Sequence, residues 1–205
     1  MKFRNIIWCA LALLALASCK EEDDTVEEFA NWQTTNDTYF NNLVSETRSK
    51  IDDGQTKWAL IPCYSYPDKG KTFGYCDYVV VYKKEQGSGT TSPLQTDSVK
   101  VHYEGRLLSS YSYPNGMIFD RSYVGNIDDA DCSELATPSK FAISGVVKGF
   151  STALMRMHRG DYWRIYIPYQ LGYGYTTRGS IPGYSTLIFD LRLEDFWRKT
   201  QGDRE

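Results

Sequence analysis

Side chains able to do covalent or metal chemistry are few in this chain and poorly spaced for it. Only two histidines occur. His102 falls on the polar face of a strand pattern and His158 at the end of a helical one, so neither has the ligand spacing of a metal site and no metal is expected. Ser151 and the other serines lack a plausible histidine partner in sequence. The run from Gly172 to Gly183 has no Gly-Lys-Ser/Thr ending, and it reads as a substrate-side loop instead of a phosphate cradle. Phe119, Val146, Phe150 and Phe189, taken singly, read as core. Asp120 reads as a turn or capping residue, and Tyr173, between two glycines, as a partly exposed turn aromatic. What the chain has in quantity is aromatic: 15% of it is Phe, Trp or Tyr, with sixteen Tyr and five Trp, which favours β-rich packing and exposed binding surfaces. Net charge is -3, with both signs spread along the chain, so there is no electrostatic footprint for nucleic acid. No cofactor is expected.

These groups need elements to hold them. Met1 to Ser18 reads as a signal peptide, with Lys2 and Arg4 as its basic part and Ile6 to Ala17 as an apolar run too short to span a bilayer. It ends in Leu16-Ala17-Ser18-Cys19, which resembles the lipobox of bacterial lipoproteins and makes Cys19 a candidate for lipidation and for the mature N-terminus. Residues 19–26 then form a tether, whose Lys20-Glu21-Glu22-Asp23-Asp24 block cannot pack. That block resembles the signal that sends lipoproteins of Bacteroidetes-type bacteria to the cell surface. A lipid-anchored protein of the outer membrane is expected, on either its periplasmic face or the cell surface. With Cys9 and Cys19 set aside, Cys63, Cys76 and Cys132 remain; Cys63 and Cys76 either bridge or stay as thiols.

From Thr25 to about Asp53 the pattern predicts a surface helix that packs through Phe29, Trp32, Phe40, Leu43, Val44 and Ile51. Trp58 to Pro62 and Tyr78 to Tyr82 predict strands, separated by a turn at Pro67-Asp68-Lys69-Gly70, and Gln86 to Thr96 predicts a loop. Val99, Val101 and Tyr103 alternate with Lys100, His102 and Glu104, and Leu187, Phe189, Leu191 and Leu193 with Ile188, Asp190, Arg192 and Glu194. Each is a strand with one buried and one wet face. Phe150, Ala153, Leu154 and Met157 predict one short helix stopped at Gly160, and Trp163, Ile165 and Ile167 another strand, ended by Pro168. Strands, one helix and more strands suit an α+β domain in which an antiparallel sheet covers a single helix.

At this point the sequence resembles the FKBP family of peptidyl-prolyl isomerases, from about Asp77 to Trp197. The matching pieces are Val99 to Gly105, Ile118-Phe119-Asp120, Phe141 through Val146-Val147-Lys148-Gly149-Phe150, Ile167-Pro168, Gly172-Tyr173-Gly174, Ile181-Pro182 and Thr186 to Asp190. The resemblance implies an FKBP-like domain over 77–198, an N-terminal helical and β extension over 27–76, and a tail over 199–205. It also implies an apolar, aromatic pocket for proline-containing polypeptides, lined by Tyr103, Phe119, Asp120, Val146, Val147, Phe150, Tyr173, Ile181 and Phe189. In that pocket Phe150 would lie under the proline ring. The Tyr173 hydroxyl and Val147 N–H would bind peptide carbonyls, with Asp120 beside the carbonyl that turns.

Two departures from the family pattern bear on activity. The family usually places tryptophan where this chain has Phe150, which keeps a flat apolar surface but loses the indole N–H. An aromatic often found near Ser139 is missing, which thins one wall. Two stretches are long, Ser109 to Met117 and Arg121 to Thr137, the second carrying Asp128, Asp129, Asp131 and Cys132; they either widen the binding surface or cover the pocket. Two functions of different class follow: an isomerase acting on exported or surface proteins, and a weak or inactive FKBP-like module that binds a protein or glycan.

Overall fold

The computed structural model describes residues 27–66, 72–125, 127–128 and 137–198. The expected signal peptide, Cys19, the acidic tether, the turn at 67–70, Asp129, Asp131, Cys132 and the tail lie outside the described residues. Among the described residues no helix is long and apolar enough to cross a membrane.

The centre of the fold follows from Val79, Val80 and Val81, all fully buried. Successive strand residues point to opposite faces, so a strand buried at three residues running must be covered on both sides. That strand is β2 (Tyr78–Glu85). It lies in an antiparallel sheet with β1 (Trp58–Pro62), β3 (Ser98–Arg106), β4 (Ile118–Arg121), β5 (Ser139–Ala142), β6 (Tyr162–Ile167) and β7 (Leu187–Trp197). The order is β1-β2-β6-β7-β3-β4, and β5 pairs with the first half of β3. The inner face holds one short helix, α2 (Lys148–Leu154), whose residues Gly149 to Leu154 are all buried. This is the expected α+β fold, an antiparallel sheet around a single helix with a helical and β extension before it.

The helix is shorter than its apolar spacing suggests. It is capped at Met155, and the fully buried Met157 and the residue His158 belong to the turn leading to β6 instead. Gly160 is therefore not a helix stop; its N–H donates to the Leu193 carbonyl at 2.7 Å.

The outer face departs most from expectation. His102, Glu104 and Asp190 occupy the polar phase of their strands, yet all three are buried. Two elements lie on this face. The helix α1 (Trp32–Asp52) buries Trp32, Asn36, Phe40, Leu43, Val44 and Thr47, a stripe at three- and four-residue spacing with Leu43 and Val44 side by side, and it packs Phe40, Leu43 and Val44 on Val80, Leu60 and Tyr166. Ile51 is exposed rather than packed. The helix starts at Trp32 because Asn31 takes a left-handed conformation, φ 53 and ψ 27, which α-helical backbone cannot pass through. Beside α1, Tyr123 and Ile127 from the chain after β4 pack on Tyr162.

Between these two covers lies a charged cluster centred on Asp190. Arg164 grips its carboxylate with two bonds of 2.8 and 2.7 Å, Lys84 stands at 3.1 Å and Arg106 at 3.8 Å. Arg106 also bonds Glu104, which accepts the Tyr123 hydroxyl at 2.8 Å. Lys84 reaches Asp128 at 2.7 Å. Charges removed from water in this way must be paired, and here each carboxylate is. Cys63 carries a free thiol, 3.3 Å from the Ser65 hydroxyl, so of the two possibilities for Cys63 and Cys76 the bridge is not the one formed.

Candidate functional site

A cup of about 380 Å³ opens on the inner face of the sheet beside α2. All of the pocket residues expected from the sequence, Tyr103, Phe119, Asp120, Val146, Val147, Phe150, Tyr173, Ile181 and Phe189, line it. They arrive from separate elements: Tyr103 from β3, Phe119 and Asp120 from β4, Val146, Val147 and Phe150 from the start of α2, Phe189 from β7, and Tyr173 and Ile181 from the loop between β6 and β7.

The floor and walls are rings in edge-to-face contact, the arrangement their quadrupoles favour. Phe150 meets Phe189 at 4.9 Å and Tyr103 at 6.3 Å between centroids, and Phe119 meets Phe189 at 5.5 Å. Gly105 makes that packing possible, since a Cβ there would lie 2.6 Å from both the Phe119 and Phe189 rings. Val147 is the residue before the first turn of α2, with extended backbone. Ser151 ties that turn to the segment before it by donating to the Ile143 carbonyl at 2.8 Å.

Polar groups in the cup are few and oriented. The Tyr103 hydroxyl donates to Asp120 Oδ2 at 2.7 Å. Burial, reinforced by the carboxylate of Asp120, pushes the Tyr103 phenol far above its usual range, so it stays a protonated donor at any physiological pH. Behind the cup, the Tyr103 backbone N–H donates to Ser122 Oγ at 2.9 Å, and that oxygen lies 3.3 Å from His102 Nδ1. Tyr173 is 39% exposed at the rim. Among the described residues no three of His, Cys, Asp and Glu converge on a point that could hold a metal.

Five further residues line the cup that were not among the expected ones: Phe141, Gly145, Arg178, Gly179 and Ser180. Phe141, in β5, packs on Tyr103 at 5.6 Å and Phe150 at 6.4 Å. It supplies an aromatic wall two residues along β5 from Ser139. Its signal was present in the matching piece that begins at Phe141. Arg178 to Ser180 sit in an exposed turn closed by paired bonds between Arg178 and Ile181, which no hydrophobic period marks. No described residue of 109–117 or 121–137 lines the cup. The first is held by Glu28, which accepts the Ser112 N–H at 3.0 Å and the Ser110 hydroxyl. The described part of the second packs on the outer face.

The family model for FKBP-type peptidyl-prolyl cis-trans isomerase matches residues 89–194. The chain is 36% identical over 103 residues to the "Macrophage infectivity potentiator" of Trypanosoma cruzi, a match covering 50% of this chain and 44% of that protein. It is 40% identical over 93 residues to the "Peptidyl-prolyl cis-trans isomerase Mip" of Coxiella burnetii, covering 45% of this chain and 34% of the relative. It therefore spans less than half the length of either relative. A crystal structure of a peptidyl-prolyl cis-trans isomerase from Pseudomonas syringae pv. tomato superposes with a TM-score of 0.49 at 22% identity, over 77% of this chain and 95% of that one.

Proposed function

This chain belongs to the FKBP-type peptidyl-prolyl cis-trans isomerase family, and from that premise we propose that its cup turns X-Pro peptide bonds between cis and trans in exported or surface proteins. Amide resonance gives the X-Pro bond partial double-bond character, so unaided isomerisation takes tens of seconds or longer. Water stabilises the polar planar form. Moving the bond among the rings of Phe119, Phe150 and Phe189 removes that stabilisation and lowers the cost of twisting. Each ~1.4 kcal/mol gained in the twisted state raises the rate tenfold. No bond breaks, so neither a nucleophile nor a metal is needed.

The roles follow from placement. Phe150 lies under the prolyl ring, with Val146, Ile181 and Phe189 around it. The Tyr173 hydroxyl and the Val147 N–H bind carbonyls flanking the bond, and Asp120, aimed by Tyr103, faces the carbonyl that rotates. The observation that carries this reading is that the expected pocket residues, drawn from five parts of the chain, surround one open cup. An assay of proline-peptide isomerisation tests it. The parent should accelerate the reaction, and Tyr173→Phe and Asp120→Ala should each lower kcat/KM roughly tenfold, as loss of one oriented polar contact implies. A parent that binds the peptide without accelerating it would favour the binding-module alternative.

Residues 77–198 act in this reading as the catalytic domain and 27–76 as an extension that adds β1 to its sheet and packs α1 on it. Export and anchoring through lipid on Cys19 are supported by the sequence pattern of Met1 to Cys19. Labelled fatty acid should enter the parent and be absent from Cys19→Ser; label in both would refute the anchor.

A further inference from the structure

The loop from Gly172 to Tyr184 sends Tyr173 into the cup and carries two more rings that are not part of the cup's lining. Tyr175 is 69% exposed. Its ring lies 5.8 Å from that of Tyr184 and 6.0 Å from that of Tyr169, and Tyr184 lies 5.3 Å from Tyr169. The three form one aromatic cluster. Its base is fixed, because Tyr169 is buried, with Asp37 of α1 near its hydroxyl.

The backbone that holds the cluster is over-determined. Tyr184 sits at φ 65, in the left-handed region that a bulky side chain occupies only under constraint, at a cost of order 1 kcal/mol or more. Its N–H donates to the Gly174 carbonyl at 2.9 Å. Gly183, just before it, runs so close to the other limb that a Cβ would stand 2.1 Å from the Tyr175 carbonyl oxygen. A loop that needed only to close could place glycine or asparagine at 184 without strain. Here strain is maintained while a large ring is presented next to another that is mostly in water.

We propose that Tyr175 and Tyr184, seated on Tyr169, form a second subsite continuous with the cup, which holds a proline-rich stretch of the substrate chain beyond the bond being turned. This rests on the isomerase reading of the cup and adds what lies next to it. The occupant is chosen by chemistry and by continuity. The rings rise from the loop that also supplies Tyr173 and Ile181, so a chain leaving the cup on that side meets them. Aromatic ledges recognise polyproline II chain, whose prolyl rings offer flat apolar faces and whose conformation is ordered before binding.

The test compares two substrates in the full chain: an Ala-Leu-Pro-Phe tetrapeptide anilide, and the same four residues prolonged on either side by a proline run. Tyr175→Ala should raise KM for one of the prolonged substrates roughly fivefold, the worth of one aromatic contact, with the tetrapeptide kcat/KM unchanged. Tyr184→Gly removes the ring and relieves the strain together, so it should show the same loss with a thermal midpoint unchanged or raised. Equal effects on both substrates, or no effect on either, overturn the subsite. A parent inactive on the tetrapeptide overturns the isomerase reading instead, and calorimetric titration of the prolonged peptides against parent and Tyr175→Ala then decides the subsite by itself. If Tyr175→Ala abolished binding of a chito-oligosaccharide and left peptide binding intact, the cluster would belong to glycans and the proposal would fall.

Discussion

Gly105 shows how narrowly the cup is fixed by single residues. It lies opposite Phe189 in the β3–β7 ladder, and the Phe119 and Phe189 rings fill the place where its side chain would be. Gly105→Ala should therefore displace both rings. A cost of about 1–3 kcal/mol is expected, as for overpacking elsewhere, together with a fall in kcat/KM larger than any distant substitution of equal cost produces. Chemical denaturation and the isomerisation assay on one sample would compare the two. The expected site residues were legible because motif order placed them, although alternation alone would have left Phe119 and Phe189 as core. Phe141 was legible as the start of a matching piece but not as a wall, since its contribution depends on where β5 crosses β3. Asp120 was visible as a polar residue beside Phe119; that it is aimed by Tyr103 needed coordinates, because the two lie on neighbouring strands.

Among the elements, α1 does more than shield the outer face. Its first turns grip the chain just after the cup loop: Trp32 Nε1 donates to Ser185 Oγ at 2.8 Å, and the Thr186 N–H donates to Asn36 Oδ1 at 2.7 Å. Asn36 also donates to the Trp32 carbonyl at 2.7 Å and is fully buried. Asn36→Ala leaves the Thr186 N–H without its partner in a dry place, which should cost about 1–3 kcal/mol. Amide exchange at Thr186 and Leu187 would quicken if so, and exchange unchanged at Thr186 would refute the clamp. Periodicity revealed the helix and most of its buried stripe. It could not reveal Asn36 or Thr47 as buried, because polar residues on an apolar stripe read as surface, nor the start at Trp32, because a left-handed Asn31 leaves no hydrophobic signature. The same limit explains the outer strand faces. His102, Glu104 and Asp190 alternate as wet residues do, and only elements distant in sequence make them dry.

At the scale of the whole molecule, a sheet covered on both faces carries titratable groups inside it. Burial holds the His102 imidazole below its usual range, with Arg192 and Lys100 adding to the effect and Glu194 opposing it. In the unfolded chain the ring takes up a proton near pH ~6.5, so just below that pH the unfolded state binds more protons than the folded one. The contribution to stability is thus intact above the unfolded value and is lost as pH falls toward the folded one. Melting temperature followed from about pH 7.5 to about pH 5.5 should decline, and His102→Gln should flatten the decline. An equal slope in both would show that other groups set it.

The cluster around Asp190 has a different consequence, for which changes the chain can survive. Three cations, Lys84, Arg106 and Arg164, lean on that carboxylate, while Glu104 and Asp128 each lend support to one of them. Losing one cation still leaves the hub two neighbours of opposite sign. Losing the hub leaves three positive charges close together with only Glu104 and Asp128 to offset two of them. Drift through sequence space should accordingly be lopsided, passing through the spokes one at a time and stopping at the axle.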